Sequence, residues 1–136
     1  MKRFLLIPLC LALAQCGRVG KLGIGHYAVA DQEYSSQNYS MERQYRAEGR
    51  FTEKHVVDHC LLMEMTGKWA QDGGTLTLKY DQIRNRRTCH DSLPGWSQDS
   101  SQLKIPVRNV AGDSYESLLA ASDGKPEKWI KWLKTE

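Results

Sequence analysis

Residues 66–80 read TGKWAQDGGTLTLKY, and the fold turns on this stretch. From Thr75 the residues alternate: Leu76, Leu78 and Tyr80 lie on one side, Thr75, Thr77 and Lys79 on the other. A period of two with one apolar and one polar set describes a strand with one wet face. Between GKWAQ and TLTLKY stands Asp72-Gly73-Gly74, whose residues tolerate positive φ. The two runs are therefore expected to be the arms of a β-hairpin.

Working outward, QYRAEGRFT (44–52) alternates in the same way. Tyr45, Ala47, Gly49 and Phe51 face Arg46, Glu48, Arg50 and Thr52 across the chain, which predicts one continuous strand. KIPVRNV (104–110) and SYESLLAA (114–121), joined through Ala111-Gly112-Asp113, predict a second hairpin. Pro106 places its strand at an edge or a bulge, because proline cannot donate to a ladder. KPEKWIKWLKTE (125–136) has two readings. As a helix, Trp129, Ile130, Trp132 and Leu133 share a face, with Pro126 near the first turn. As a strand, it follows the Asp123-Gly124 turn and closes the sheet, and this is the reading we favour. The expected fold class is all-β, an antiparallel barrel or flattened β-sandwich of six to eight short strands.

The other end of the chain concerns delivery. Lys2 and Arg3 precede the apolar run FLLIPLCLALA (4–14), the layout of a signal peptide over 1–15. That run is too short to span a bilayer, and Pro8 would kink it. Two cuts compete. Ala12-Leu13-Ala14 satisfies the small-x-small rule and would leave Gln15 first. Leu13-Ala14-Gln15-Cys16 resembles the lipobox of bacterial lipoproteins, which implies diacylglyceryl attachment at Cys16, cleavage before it and acylation, commonly with palmitate, of the new amine. Cysteine number favours the second cut. Cys10 leaves with the signal, and a lipidated Cys16 leaves Cys60 and Cys89 as an even pair in an oxidising compartment. Gly17 stands where inner-membrane retention would use Asp, so in a Gram-negative envelope the expected address is the periplasmic face of the outer membrane. Residues 16–40, with Gly17, Gly20, Gly23, Gly25 and the polar run DQEYSSQNYS, are expected to be the lipidated Cys and a flexible tether. The sequon Asn38-Tyr39-Ser40 is a chance match in that setting. The β domain is then 41–136.

YRAEGRF followed by TGKWAQDGGTLTLKY resembles small bacterial secreted lipoproteins with a lipocalin-like domain. In these a Gly-aromatic strand end precedes a Gly-x-Trp strand, a Gly-rich turn and a Leu-Thr-Leu strand. The matching residues are Gly49, Phe51, Gly67, Trp69, Gly74, Leu76 and Leu78, about a quarter of the chain. The resemblance implies a lipocalin-like fold, and a fold alone does not assign a function.

With 136 residues, 26% charged and 40% hydrophobic, and a net charge of +3, the chain suits one globular domain. Its charge does not by itself dictate a partner, and its compartment excludes nucleic acid. Cys60 and Cys89 are expected to form a disulfide worth about 3–4 kcal/mol in the chain-entropy account. Zinc is the rival, through His59 beside Cys60 and His90 beside Cys89. Neighbours on a strand point to opposite faces, which disfavours a shared ion. HVVDH (55–59) resembles the His-x-x-Glu-His pattern of inverted zinc peptidases, with Asp58 for the Glu. Val56 and Val57 favour a strand, which sets His55 and His59 roughly 13 Å apart, beyond one zinc. RNRR supplies Arg84, Arg86 and Arg87 as a basic surface for an acidic or anionic partner. Trp129 and Trp132 interleave with lysines, as interfacial helices do, or else fill the core. No Gly-x-Ser-x-Gly elbow and no phosphate-binding glycine loop is placed on a strand–helix unit.

These features predict a non-enzymatic cell-envelope lipoprotein without metal or cofactor. Its barrel would bind a small apolar ligand among Tyr45, Phe51, Trp69, Leu76, Leu78 and Tyr80. The alternative is an envelope protein partner bound through Arg84, Arg86, Arg87, Trp129 and Trp132. A zinc-dependent hydrolase built on His55 and His59 is the most distant alternative. The intact mass of protein from its host's membranes is expected to begin at Cys16 and carry diacylglyceryl and acyl groups. A mass beginning at Gln15 without lipid would refute the anchor.

Overall fold

A computed structural model describes residues 19–30, 39–121, 124 and 126–135. The signal peptide, Cys16 and Asn38 lie outside these residues. Nine strands follow: β1 (Gly25–Val29), β2 (Tyr39–Tyr45), β3 (Arg50–Val57), β4 (Cys60–Asp72), β5 (Thr75–Asn85), β6 (Ser97–Gln98), β7 (Gln102–Arg108), β8 (Ser114–Leu119) and β9 (Lys128–Lys134). No helix occurs among the described residues. Every pairing between these strands is antiparallel. The order β4-β3-β2-β1-β9-β8-β7-β5 closes through β4–β5, and β6 adds at the side of β5. The domain is an eight-stranded meander closed into a barrel with one extra short strand, consistent with a lipocalin-like barrel. Closure removes the open edges that an exposed sheet would present.

The hairpin expected in 66–80 is present. Trp69 pairs with Leu78 and Asp72 with Thr75, and Gly73 takes φ 55° in the two-residue turn. The second expected hairpin is present as β7–β8. The C-terminal segment is a strand: β9 pairs β8 on one side and β1 on the other. Trp132 and Ile130 thus point inward while Trp129 points out.

Three expectations are corrected. The run 44–52 is not one strand. Arg46 N–H donates to Arg50 O (2.8 Å) and Gly49 N–H to Arg46 O (3.1 Å), with Gly49 at φ 76°, so 46–49 is the β2–β3 turn. Its alternation came from a polar turn that continues the phase of both arms. The segment 16–40 contains β1, which zips between β2 and β9; Gly20 and Gly23 meet backbone closely, and a Cβ on Gly23 would stand 2.5 Å from Gly112 O. HVVDH ends in a tight turn, with Asp58 at φ 50° and His59 at φ 64° between paired Val57 and Cys60, the backbone that a two-residue primed turn requires.

One end of the barrel is plugged. Leu22 is buried there, its N–H on Gln71 Oε1 (2.7 Å), and Gly20 N–H donates to Val110 O (3.2 Å). Above the plug, Tyr27, Tyr45, Phe51, Leu76, Leu78 and Tyr115 fill the interior. The opposite end carries the β3–β4 turn and the Cys60–Cys89 disulfide (S–S 2.08 Å, Cα–Cα 6.1 Å). Gly67 sits at the β4–β5 bulge, where an added Cβ would stand 2.1 Å from Lys79 O and 2.9 Å from Phe51 Cε1. Gly67→Ala is therefore expected to destabilise by about 1–3 kcal/mol in urea unfolding. Gly95→Ala, with nothing within 4 Å of its Cβ, is expected to change little.

Candidate functional site

β2 and β3 are the strands that carry charge into the barrel. Met41, Arg43 and Tyr45 share the inward phase of β2, and Phe51, Glu53 and His55 that of β3. Arg43 and Glu53 are direct cross-strand partners, so both charges enter the interior side by side. Arg43 Nε donates to Glu53 Oε1 at 2.5 Å, with only 7% and 5% of the two side chains exposed. The guanidinium carbon lies 4.4 Å from the Trp132 ring centre, and Tyr115 stacks on that same ring (5.6 Å, 4°). A cation over an indole face gains from the ring quadrupole, more so when dry.

Hydrogen bonds extend from this pair both ways. Glu53 Oε2 lies 2.9 Å from His55 Nε2, and His55 Nδ1 lies 2.6 Å from Tyr39 OH. Arg43 Nη1 is 3.5 Å from Tyr115 OH, which shares a 2.7 Å hydrogen bond with Tyr45 OH. Burial alone would raise the Glu53 pKa, yet the Arg43 charge and the hydrogen bonds from His55 and Arg43 hold it at about 2, below the ordinary 4.5. Burial raises the Arg43-flanking phenols Tyr45 and Tyr115 above their ordinary value. Around neutral pH Glu53 is an anion, Arg43 a cation, and both phenols are neutral.

A cleft of about 270 Å³ opens beside this network. Its walls include Met41 and Arg43 from β2, Leu103 to Pro106 from β7, Ser117 to Ala120 across the end of β8, and Ile130 and Trp132 from β9. The opening has a local cause. β7 and β8 pair only at Val107↔Ser117 and Arg108↔Glu116. Val107 N–H donates to Gly74 O on the β5 side (2.8 Å), so the next backbone group that should face β8 belongs to Pro106. Pro106 has no N–H to give, the ladder stops, and the strands part over Leu103–Ile105 and Leu118–Ala120. The expectation of an edge strand or bulge at Pro106 is corrected: β7 lies between β5 and β8, Pro106 pairs Thr75 in regular register on the β5 side, and only the ladder to β8 stops beside it. Leu103 is left 46% exposed at the rim.

The residues expected to line a ligand cavity lie elsewhere. Tyr45, Phe51, Leu76, Leu78 and Tyr80 are buried in the filled part of the barrel, and Trp69 packs edge-on against Tyr45 (5.1 Å). None of the six lines the cleft. The surface set is also divided. Arg84 pairs with Glu64 and covers Trp96 at 4.5 Å. Arg86 donates to Leu61 O (2.8 Å), Asp91 O (3.1 Å) and Cys60 Sγ (3.0 Å), bracing the disulfide loop. Arg87 is exposed. Trp129 lies under Arg108 at 4.2 Å, and Trp132 is the largest fully buried side chain. Among the described residues no group of three His, Cys, Asp or Glu is placed to hold a metal.

Sequence reading missed Met41, Arg43, Ile105, Ser117 and Leu119. One signal was present: in SMERQY and RFTEKH, Arg43 and Glu53 fall in the same alternating phase as Tyr45 and Phe51. No protein family, curated protein or solved structure matches the chain.

Glu53→Gln leaves Arg43 buried beside a neutral amide, and a loss of about 3–5 kcal/mol in urea unfolding is expected. Arg43→Met with Glu53→Leu should recover most of it, because an apolar pair of similar volume carries no desolvation penalty. The pair's contribution at Glu53 is complete above about pH 4.5 and is lost as pH falls toward 2. Thermal melts from pH 7 to 2 should show that acid limb, and the double variant should lack its Glu53 component.

Proposed function

We propose that the protein is a non-catalytic cell-envelope lipoprotein whose barrel binds a small apolar ligand in the cleft between β7 and β8. The observation that carries this reading is the cleft itself: about 270 Å³, walled mainly by Leu, Ile, Met and Trp, with few polar groups. It lies just below the roughly 300–1,000 Å³ common for small-molecule sites, which suits a small ligand. The ligand therefore enters at the parted strands and stops against Trp132 and Arg43, short of the filled half.

The anchor reading fits this geometry. Val19 bridges to Val110 at the plugged end, and Cys16 lies three residues earlier, a reach of about 11 Å at full extension. A lipidated Cys16 would hold the plugged end against the bilayer, and the open end would face the compartment, accessible to ligand arriving through water.

The test is saturable binding of the neutral probe N-phenyl-1-naphthylamine, followed by its fluorescence, in the wild type and in Leu119→Trp, which fills the cleft. We expect one site per chain and at least about a tenfold weaker site in the variant, the loss of a few buried methylene contacts. Equal binding by a folded Leu119→Trp would reject the cleft as the site.

A further inference from the structure

Resting on the ligand-binding reading above, we infer that the ligand is an electrically neutral acyl compound, an amide or ester, whose carbonyl accepts a hydrogen bond from the Arg43 guanidinium. Three observations select that chemistry. The cleft is mainly apolar, and its one buried cation is Arg43. That cation has spare donors: a guanidinium offers five N–H groups, and its side-chain acceptors among the described residues are Glu53 Oε1, Tyr115 OH and the neighbouring Tyr45 OH. Finally, its charge is already matched. Glu53 lies against it at 2.5 Å, and the charged residues of the rim, Lys104 and Glu127, are of opposite sign.

Each alternative head group conflicts with one of these facts. A carboxylate would bring a second anion to a cation that Glu53 neutralises, and a buried charge without its own partner is costly. An ammonium would meet the guanidinium as a like charge. A plain hydrocarbon would displace water from guanidinium N–H groups without replacing its hydrogen bonds. A carbonyl oxygen adds an acceptor and no net charge. The chain behind it then lies along Ile105, Leu119 and Ile130 toward Leu103 at the rim.

Competition against N-phenyl-1-naphthylamine at pH 7.5 tests this with four ligands of one chain length: octanamide, octanoate, octylammonium and 1-octene. Octanamide is expected to displace the probe at a concentration about tenfold or more below the other three, the scale of one hydrogen bond to a charged donor. In Arg43→Met with Glu53→Leu, checked for fold by near-UV circular dichroism, octanamide should lose its lead over 1-octene. Octanoate binding best would overturn the inference and leave the ligand-binding reading standing. Equal displacement by all four would do the same, removing Arg43 from recognition. Displacement by none, with the probe bound at the cleft, would overturn the inference and count against the acyl-sized ligand of the parent reading as well.

Discussion

The Arg43–Glu53 pair organises the interior. Two opposite charges nearly out of water must touch, and here they are also cross-strand neighbours. That requirement pins the β2–β3 register. A slip of one residue would set Arg43 opposite Thr52 or Lys54 and turn one strand's inward set outward. The aromatic residues follow the same demand. Trp132 lies under the guanidinium, Tyr115 stacks on Trp132, and Tyr45 closes on Tyr115 by hydrogen bond. Polar tips that would otherwise be costly to bury satisfy one another.

The barrel is therefore built in two halves. Toward the plug, Tyr27, Phe51, Leu76 and Leu78 are fully buried in the interior, and Gly20, Gly23 and Gly67 let backbone approach where any side chain would collide. Toward the other end, a single missing N–H at Pro106 stops the β7–β8 ladder and creates the cleft. Strand separation and buried charge meet at one place, which gives an otherwise apolar site a polar end.

The disulfide works at that same end without lining the cleft. Cys60 begins β4 just after the Asp58-His59 turn, and Cys89 holds the long connection from β5 toward β6 against it. Arg86 ties this connection to Leu61 and Cys60. Two of the three cations of RNRR thus serve local structure, and the cluster is not a free basic patch. A run of like charges in a sequence gives their number but not their occupation.

By itself the sequence determined the strand chemistry. Alternation over Thr75–Tyr80, the Asp72-Gly73-Gly74 turn, the β7–β8 hairpin and the all-β class depend on neighbours along the chain, and the Cys60–Cys89 bond expected from cysteine number is present. Tertiary structure decided what depends on neighbours across the barrel. Whether QYRAEGRFT is one strand or a hairpin rests on Gly49 adopting positive φ and on β2 meeting β3. Whether residues 25–29 are tether or strand rests on an opening between β2 and β9 that exists only once the barrel closes. Tyr45, Phe51, Leu76, Leu78 and Tyr80 were rightly read as inward, but periodicity tells which face a side chain takes and not whether space remains beside it. Cavity position is set by where eight strands fail to fill their common interior, and that failure lies with Pro106, Arg43 and Trp132, three residues distant in sequence that only closure brings together.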